Sequence, residues 1–241
     1  MTHIDTSNLK AIAFDFGGTI DSPFLHWMDI YLKIYVEQMR LPLTPENFRE
    51  AYIYAEQMME RHHLVQPTCS LYETQHIKVQ LQFRYLLQHE TIDLPVDERE
   101  AIFKCAAQLV TDYASGYVAA ARPVLETLHR SYTLLLVSNY YGNIAKIASD
   151  LDIASFFYFI TDSTIAGVRK PDPELWRLAI EQAGFTPAEV AVVGDSYKND
   201  IQPALTLGCQ VIMGIPAHAV TRPNVCCVRR LEELPSLLCS K

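Results

Sequence analysis

The spacing of apolar positions changes character twice along the chain. Lys10 to Phe14 (KAIAF) is a short apolar run closed by an acid and a Gly-Gly pair. It predicts a strand buried on both faces that delivers Asp15 at its carboxyl end. From Ser22 to about Ala121 such runs almost vanish and helix starts replace them: Ser22 with Pro23, Thr44 with Pro45, the capping box Ser70 to Glu73, and Asp97 to Glu100. This stretch predicts four amphipathic helices packed as a bundle rich in Tyr, Met and Leu. After Arg122 strands return at Leu134 to Val137, Tyr158 to Ile160, Val190 to Val193 and Gln210 to Met213. Helical stretches separate them at Asn143 to Asp150, Pro173 to Ala183 and Asn199 to Leu207. Alternation of this kind predicts an α/β fold, a doubly wound parallel sheet with helices on both faces. The expected organisation is a core made of residues 1–21 and 122–241, interrupted by an all-helical insertion over 22–121.

Composition narrows the classes of function. The chain has 241 residues, 49% hydrophobic and 20% charged, with 9 Gly and 13 Pro, which excludes disordered and collagen-like chains. Against 28 Asp+Glu stand 20 Lys+Arg, a net charge of −8. A chain so acidic has no overall positive field to hold a nucleic acid or an anionic membrane surface, so neither is an expected partner. The opening MTHIDTSNLK lacks the basic and apolar segments of a secretory signal, and the longest apolar runs are strand-sized, so the expectation is a soluble, cytoplasmic protein. The six cysteines form no CxxC pair and are read as reduced thiols.

Polar clusters fall at the carboxyl ends of the predicted strands, where ligands bind in sheets of this type. In the first, Asp15-Phe16-Gly17-Gly18-Thr19, a carboxylate stands in a turn small enough for close approach of a ligand. A carboxylate there can attack phosphorus or ligate a cation. Ser138-Asn139 follows YTLLLV and precedes a helix, where hydroxyl and backbone N–H groups bind phosphate oxygens. Lys170, in VRKPDP, can neutralise a phosphate or hold down the pKa of a nucleophilic carboxylate. In GDSYKND after VAVV, Asp195 and Asp200 offer the hard oxygens that suit Mg²⁺. Each cluster alone also fits an ordinary turn or helix cap.

Taken together, an acid, a hydroxyl, a lysine and an acidic pair in this order resemble the haloacid dehalogenase superfamily across nearly the whole chain. The resemblance implies Asp15 as nucleophile, Lys170 as the catalytic cation, and Thr19, Ser138, Asn139 and Lys170 around the phosphoryl group of a small phosphorylated substrate. It also implies an Mg²⁺ site from Asp15, the Gly17 carbonyl, Asp195 and Asp200, and makes 22–121 a helical cap over the active site. One position departs from the pattern. Most phosphatases of this family carry a second Asp two residues past the nucleophile, as acid and base for the leaving oxygen. Here Gly17 stands in its place, a loss worth ~10² to 10⁴ in rate. Asp21 is the nearest substitute acid, although a helix-start carboxylate is the preferred reading for it. A weak or inactive phospholigand-binding protein fits the same residues. A phosphonatase-like enzyme would need a cap lysine among Lys33, Lys78 and Lys104, and the tyrosine typical of haloacid dehalogenases is absent. His62-His63 read as an exposed helix end, Tyr140-Tyr141 as packing at the pocket mouth, and Asn199 as a support for the acids or the start of a helix.

Overall fold

A computed structural model describes residues 4–239, so residues 1–3 and 240–241 of the expected core lie outside it. Six parallel strands form one sheet in the order β3-β2-β1-β4-β5-β6. They are β1 Ala11–Phe14, β2 Thr133–Ser138, β3 Phe157–Asp162, β4 Val190–Gly194, β5 Gln210–Gly214 and β6 Cys226–Val228. The helices are α1 Trp27–Lys33, α2 Pro45–His62, α3 Leu71–Gln88, α4 Arg99–His129, α5 Ile144–Asp150, α6 Ser163–Ala166, α7 Glu174–Gln182, α8 Gln202–Leu207 and α9 Leu234–Leu238.

β1 and β4 are buried at every residue, which is why they read as unbroken apolar runs. Successive side chains point to opposite faces. Ile12, Phe14, Leu134, Leu136 and Val193 pack with the last turns of α4, with α5 and with α9. Ala11, Ala13, Leu135, Val137 and Val192 meet Leu175, Trp176, Ala179 and Ile180 of α7 and Ala204 of α8. The edge strand β3 differs, leaving Tyr158 and Phe159 exposed in a run that reads as a buried strand. β6 is three residues long and falls in a stretch where no strand is expected.

Between β1 and β2 the chain is helical, and α1–α4 enclose their own core around Tyr31, Tyr35, Phe48, Phe83, Phe103 and Val110. Two of the expected starts are as read: Thr44 and Ser70 make reciprocal capping boxes with Asn47 and Glu73. The other two are displaced. Ser22 instead closes a turn on Leu25, and α1 begins at Trp27 with His26 as its cap. α4 begins at Arg99, after Glu98, with no side-chain cap. It runs unbroken for 31 residues with Pro123 inside it, so the expected junction at 121/122 falls within a helix.

Candidate active site

The switch point of the sheet lies at β1, which is flanked by β2 on one side and β4 on the other. Asp15 leaves β1 there, its N–H bonded to the Val193 carbonyl at 2.9 Å. Lys170 reaches it from the loop after α6, with Nζ 2.5 Å from Asp15 Oδ1, 2.8 Å from Asp200 Oδ1 and 3.1 Å from the Val137 carbonyl. Asn139 holds the lysine's backbone from both sides, donating to the Lys170 carbonyl and accepting from its N–H, each at 2.9 Å. Lys170, Asp15 and Asp200 are all buried. Burial pushes the Asp15 pKa up to about 6, with Lys170 pulling the other way and Asp200 adding to the rise. Burial disfavours the charged Lys170, but Asp15 and Asp200 overcome it and hold the ammonium above its ordinary range.

Two glycines explain why the acids come so close. Gly18 has φ +91°, and a Cβ there would lie 2.7 Å from Asp195 Oδ2. A Cβ on Gly194 would lie 2.5 Å from the Cβ of Asp200. Each position therefore requires glycine to let a carboxylate pass. After Asp195 the chain makes a π turn over Tyr197–Ile201, with Asp200 and Ile201 both donating to the Ser196 carbonyl. This wide turn swings Asp200 back, and its Oδ2 accepts from the Ser196 N–H at 3.0 Å.

Ligand oxygens of Asp15, Asp195 and Asp200 lie within 4.8 Å of one another. Burial, and then the neighbouring Asp15 and Asp200, drives the Asp195 pKa well above the usual carboxylate range. Three hard oxygen donors so crowded, with one lysine between two of them, fit a divalent cation of the Mg²⁺ type.

A cavity of about 300 Å³ opens on this cluster. Of the residues expected at the site, Asp15, Gly17, Ser138, Asn139, Lys170, Asp195 and Asp200 line it. Thr19 does not: it is fully buried behind Asp15, with Oγ1 3.2 Å from Asp15 Oδ2 and 3.5 Å from Asp195 Oδ1. Its hydroxyl is turned to the two acids. Asp21 is also off the cavity wall. One of its oxygens accepts from the Gly18 N–H at 2.7 Å and the other from Trp27 Nε1 at 3.1 Å. It therefore locks the Gly-Gly turn and starts no helix. Burial pushes its pKa up to about 8, opposed by the Gly18 hydrogen bond and reinforced by Asp15.

The helical layer closes the cavity with groups that the sequence reading misses: His26, Trp27, Tyr52, Glu56 and Gln75, with Arg169 from the core. No spacing marks them, because their convergence depends on how α1, α2 and α3 cross. Trp27 occupies the flank of the missing acid, its Nε1 3.5 Å from a Cβ built on Gly17. Of Lys33, Lys78 and Lys104 only Lys78 lines the cavity. Tyr141 donates to Glu56 and Arg169 pairs with Glu60 at 2.7 Å, tying core to helical layer. Tyr140 packs on Phe16, His63 ends α2 in the left-handed region, and the Asn199 N–H donates to the capping Ser196 hydroxyl.

An all-parallel sheet with an acidic centre at the carboxyl ends of its middle strands defines a Rossmann-like α/β protein that holds its ligand at a switch point. The chain belongs to the haloacid dehalogenase-like hydrolases, whose family model matches residues 9–208. It is 31% identical over 118 residues to haloacid dehalogenase-like hydrolase domain-containing protein 3 of Mus musculus, over 47% of each chain. It is 38% identical over 66 residues to phosphoglycolate phosphatase of Salmonella typhi, 27% of this chain and 26% of that one. The chain thus spans about half the length of the curated relatives it matches. A magnesium-bound structure of the HAD-hydrolase YfnB from Bacillus subtilis shares the fold, with a TM-score of 0.62 at 20% identity over 95% of this chain and 98% of that one. No helix among the described residues is long and apolar enough to cross a membrane.

Proposed function

We propose that this chain is a magnesium-dependent phosphohydrolase of the cytoplasm, acting on a small phosphorylated metabolite, with residues 22–121 as a cap. The observation that carries the reading is the single cavity in which Asp15, Lys170, Asp195 and Asp200 meet Ser138 and Asn139. Asp15, Asp195 and the Gly17 carbonyl would hold Mg²⁺, with Asp200 in support, and the ion would offset phosphoryl charge as a Lewis acid. A carboxylate oxygen of Asp15 attacks phosphorus, the bond to the leaving oxygen breaks, and water then hydrolyses the aspartyl phosphate. Lys170 holds Asp15 in place and offsets the charge gathered around the phosphoryl group. Asp200 and Asn139 hold Lys170, and Ser138 offers its hydroxyl to a phosphoryl oxygen.

Proton delivery to the leaving oxygen has no carboxylate at Gly17, and Asp21, held by the Gly18 N–H and Trp27 Nε1, does not line the cavity. Substrates with good leaving groups are therefore favoured. Phosphoglycolate phosphatase and phosphoserine phosphatase among the relatives support phosphoester chemistry. A phosphonatase-like course is not favoured, because Lys78 is ion-paired to Glu56 and an amine must shed its proton to add to a carbonyl. The test is a screen of phosphoesters and acyl phosphates with Mg²⁺ and with chelator, using Asp15→Asn as the blank. Hydrolysis that needs both Mg²⁺ and Asp15 supports the proposal. Phosphate-analogue binding without any turnover would instead identify a phospholigand-binding protein.

A further inference from the structure

Lys170 and Trp176 belong to one short run, KPDPELW, that folds back on itself. The Asp172 N–H donates to the Arg169 carbonyl at 2.9 Å, and the Asp172 side chain accepts from the Glu174 N–H at 2.9 Å, so a tight turn leads straight into α7. Trp176, in the first turn of that helix, is fully buried. Its ring centroid lies 4.9 Å from Lys170 Nζ. Its Nε1 donates at 3.3 Å to the Asn199 carbonyl, within the π turn Tyr197–Ile201 that presents Asp200. One side chain therefore touches both the cation and the turn that carries one of the cation's two carboxylates.

An ammonium has three protons, and Lys170 directs them to Asp15, Asp200 and the Val137 carbonyl. The balance between the two acids changes during the proposed reaction. Once Asp15 carries the phosphoryl group its carboxyl has no charge of its own and the negative charge lies on the phosphoryl oxygens, whereas Asp200 remains a carboxylate. A ring face attracts a cation whatever the state of either acid, and does so more strongly where the pair is out of water.

We infer that Trp176 is a positioning residue, whose ring face keeps the Lys170 ammonium beside Asp15 as the charge on that residue changes and whose N–H steadies the turn bearing Asp200. The inference rests on the phosphohydrolase reading for its kinetic consequence only. The sequence allows a direct check, because Trp27 is the one other tryptophan of the chain.

The test has a kinetic and a spectroscopic arm. In the first, wild type, Trp176→Phe and Trp176→Leu hydrolyse p-nitrophenyl phosphate, an aryl ester with a good leaving group, in the presence of Mg²⁺. Trp176→Leu should lose kcat about tenfold or more with KM held within about twofold, while Trp176→Phe, which keeps a ring face, should stay within about threefold of wild type. Ile180→Ala, a packing loss in the same apolar cluster of α7, should leave kcat near the wild-type value. A Leu variant as fast as wild type, a Phe variant as slow as the Leu one, or an equal fall in Ile180→Ala would overturn the role. In the second arm Trp27→Phe leaves Trp176 as the sole indole, and its emission is compared with that of folded Trp27→Phe/Lys170→Met protein. The comparison is made without ligand and again with Mg²⁺ and beryllium fluoride, which imitates a phosphorylated aspartate. The two proteins should differ in emission maximum or intensity in both states. A difference that is missing, or that vanishes in the loaded state, would show that the ammonium does not stay on the ring and would overturn the inference. Absence of hydrolysis with the emission difference intact would count against the phosphohydrolase reading alone.

Discussion

Gly17→Asp would supply the carboxyl that the resemblance leads one to expect two residues past Asp15, and the local geometry sets what it should do. Gly17 lies outside the left-handed region, unlike Gly18, so an L-residue meets no backbone penalty. A Cβ there sits 3.5 Å from Trp27 Nε1 and 3.6 Å from Cδ1, ordinary contact distances. The same change one residue later would drive a side chain into Asp195. The indole N–H that now donates to Asp21 at 3.1 Å would flank the new carboxyl. Nearby Asp15 and Asp195 would raise its pKa, which suits an acid that must deliver a proton. General acid catalysis is worth ~10² to 10⁴ in rate, or about 3–5 kcal/mol of barrier. That gain applies where the leaving oxygen is basic. An alkyl phosphate should therefore gain on the order of 10²-fold or more, while an aryl or acyl phosphate changes little. Single-turnover assays on protein checked for folding by circular dichroism would measure the ratio. Wild-type protein that cleaves alkyl and aryl esters equally, with chemistry rate-limiting, would show that another group supplies the proton and refute the reasoning.

Asp15→Asn should abolish turnover while leaving the fold intact, and wild-type hydrolysis by that variant, freed of contaminating phosphatase, would remove Asp15 from its role. Lys170→Met strips the cation from two buried carboxylates and should cost about 3–5 kcal/mol in urea unfolding with chelator present; a change below about 1 kcal/mol would show that the pairs contribute little. Asp21 has a folded pKa raised to about 8. Its folded form therefore keeps a proton that the unfolded chain releases, and stability from this group is full below pH ~4 and lost as pH rises through ~4 to 8, by up to ~1.4 kcal/mol per unit. Asp21→Asn should flatten that slope relative to wild type in unfolding curves across this range, and an unaltered slope would contradict the burial argument. Gly18→Ala, at φ +91° and against Asp195, should lose Mg²⁺ affinity by calorimetry, whereas an unchanged affinity would show that Asp195 can move aside without cost.

The sheet and the acids on it are legible because parallel strands buried on both faces leave short apolar runs, and those of β1, β2 and β4 end in polar residues. Asp15, Ser138, Lys170 and Asp195 could be found from local sequence alone. Thr19 could not be placed: residues four apart across a tight turn can face a ligand or stand behind the acid, and here the hydroxyl meets Asp15 from the buried side. The start of α1 was misplaced because Ser22-Pro23 mimics a cap but serves a turn, and a histidine caps the helix instead. Glu56, Gln75 and Lys78 were illegible as a group, since they come from two helices whose crossing is set by packing around Tyr31 and Tyr35. Short edge strands such as β6 carry too few apolar positions to announce themselves.

The unbroken α4 makes the helical layer a lever. At about 1.5 Å per residue the helix is roughly 46 Å long. Pro123 breaks its hydrogen-bond ladder close to the sheet, because a proline nitrogen has no proton to donate. The arm from there to Arg99 is about 36 Å, so a bend of about 5° carries its far end about 3 Å. The second link between the layers, around Phe24, is wedged against Gly214, where even a Cβ would collide with the ring. A bend of that size at Pro123 would shift the far end of the helical layer by more than the length of a hydrogen bond. The Arg169–Glu60 pair ties α2 to the core one residue from the lysine that holds Asp15.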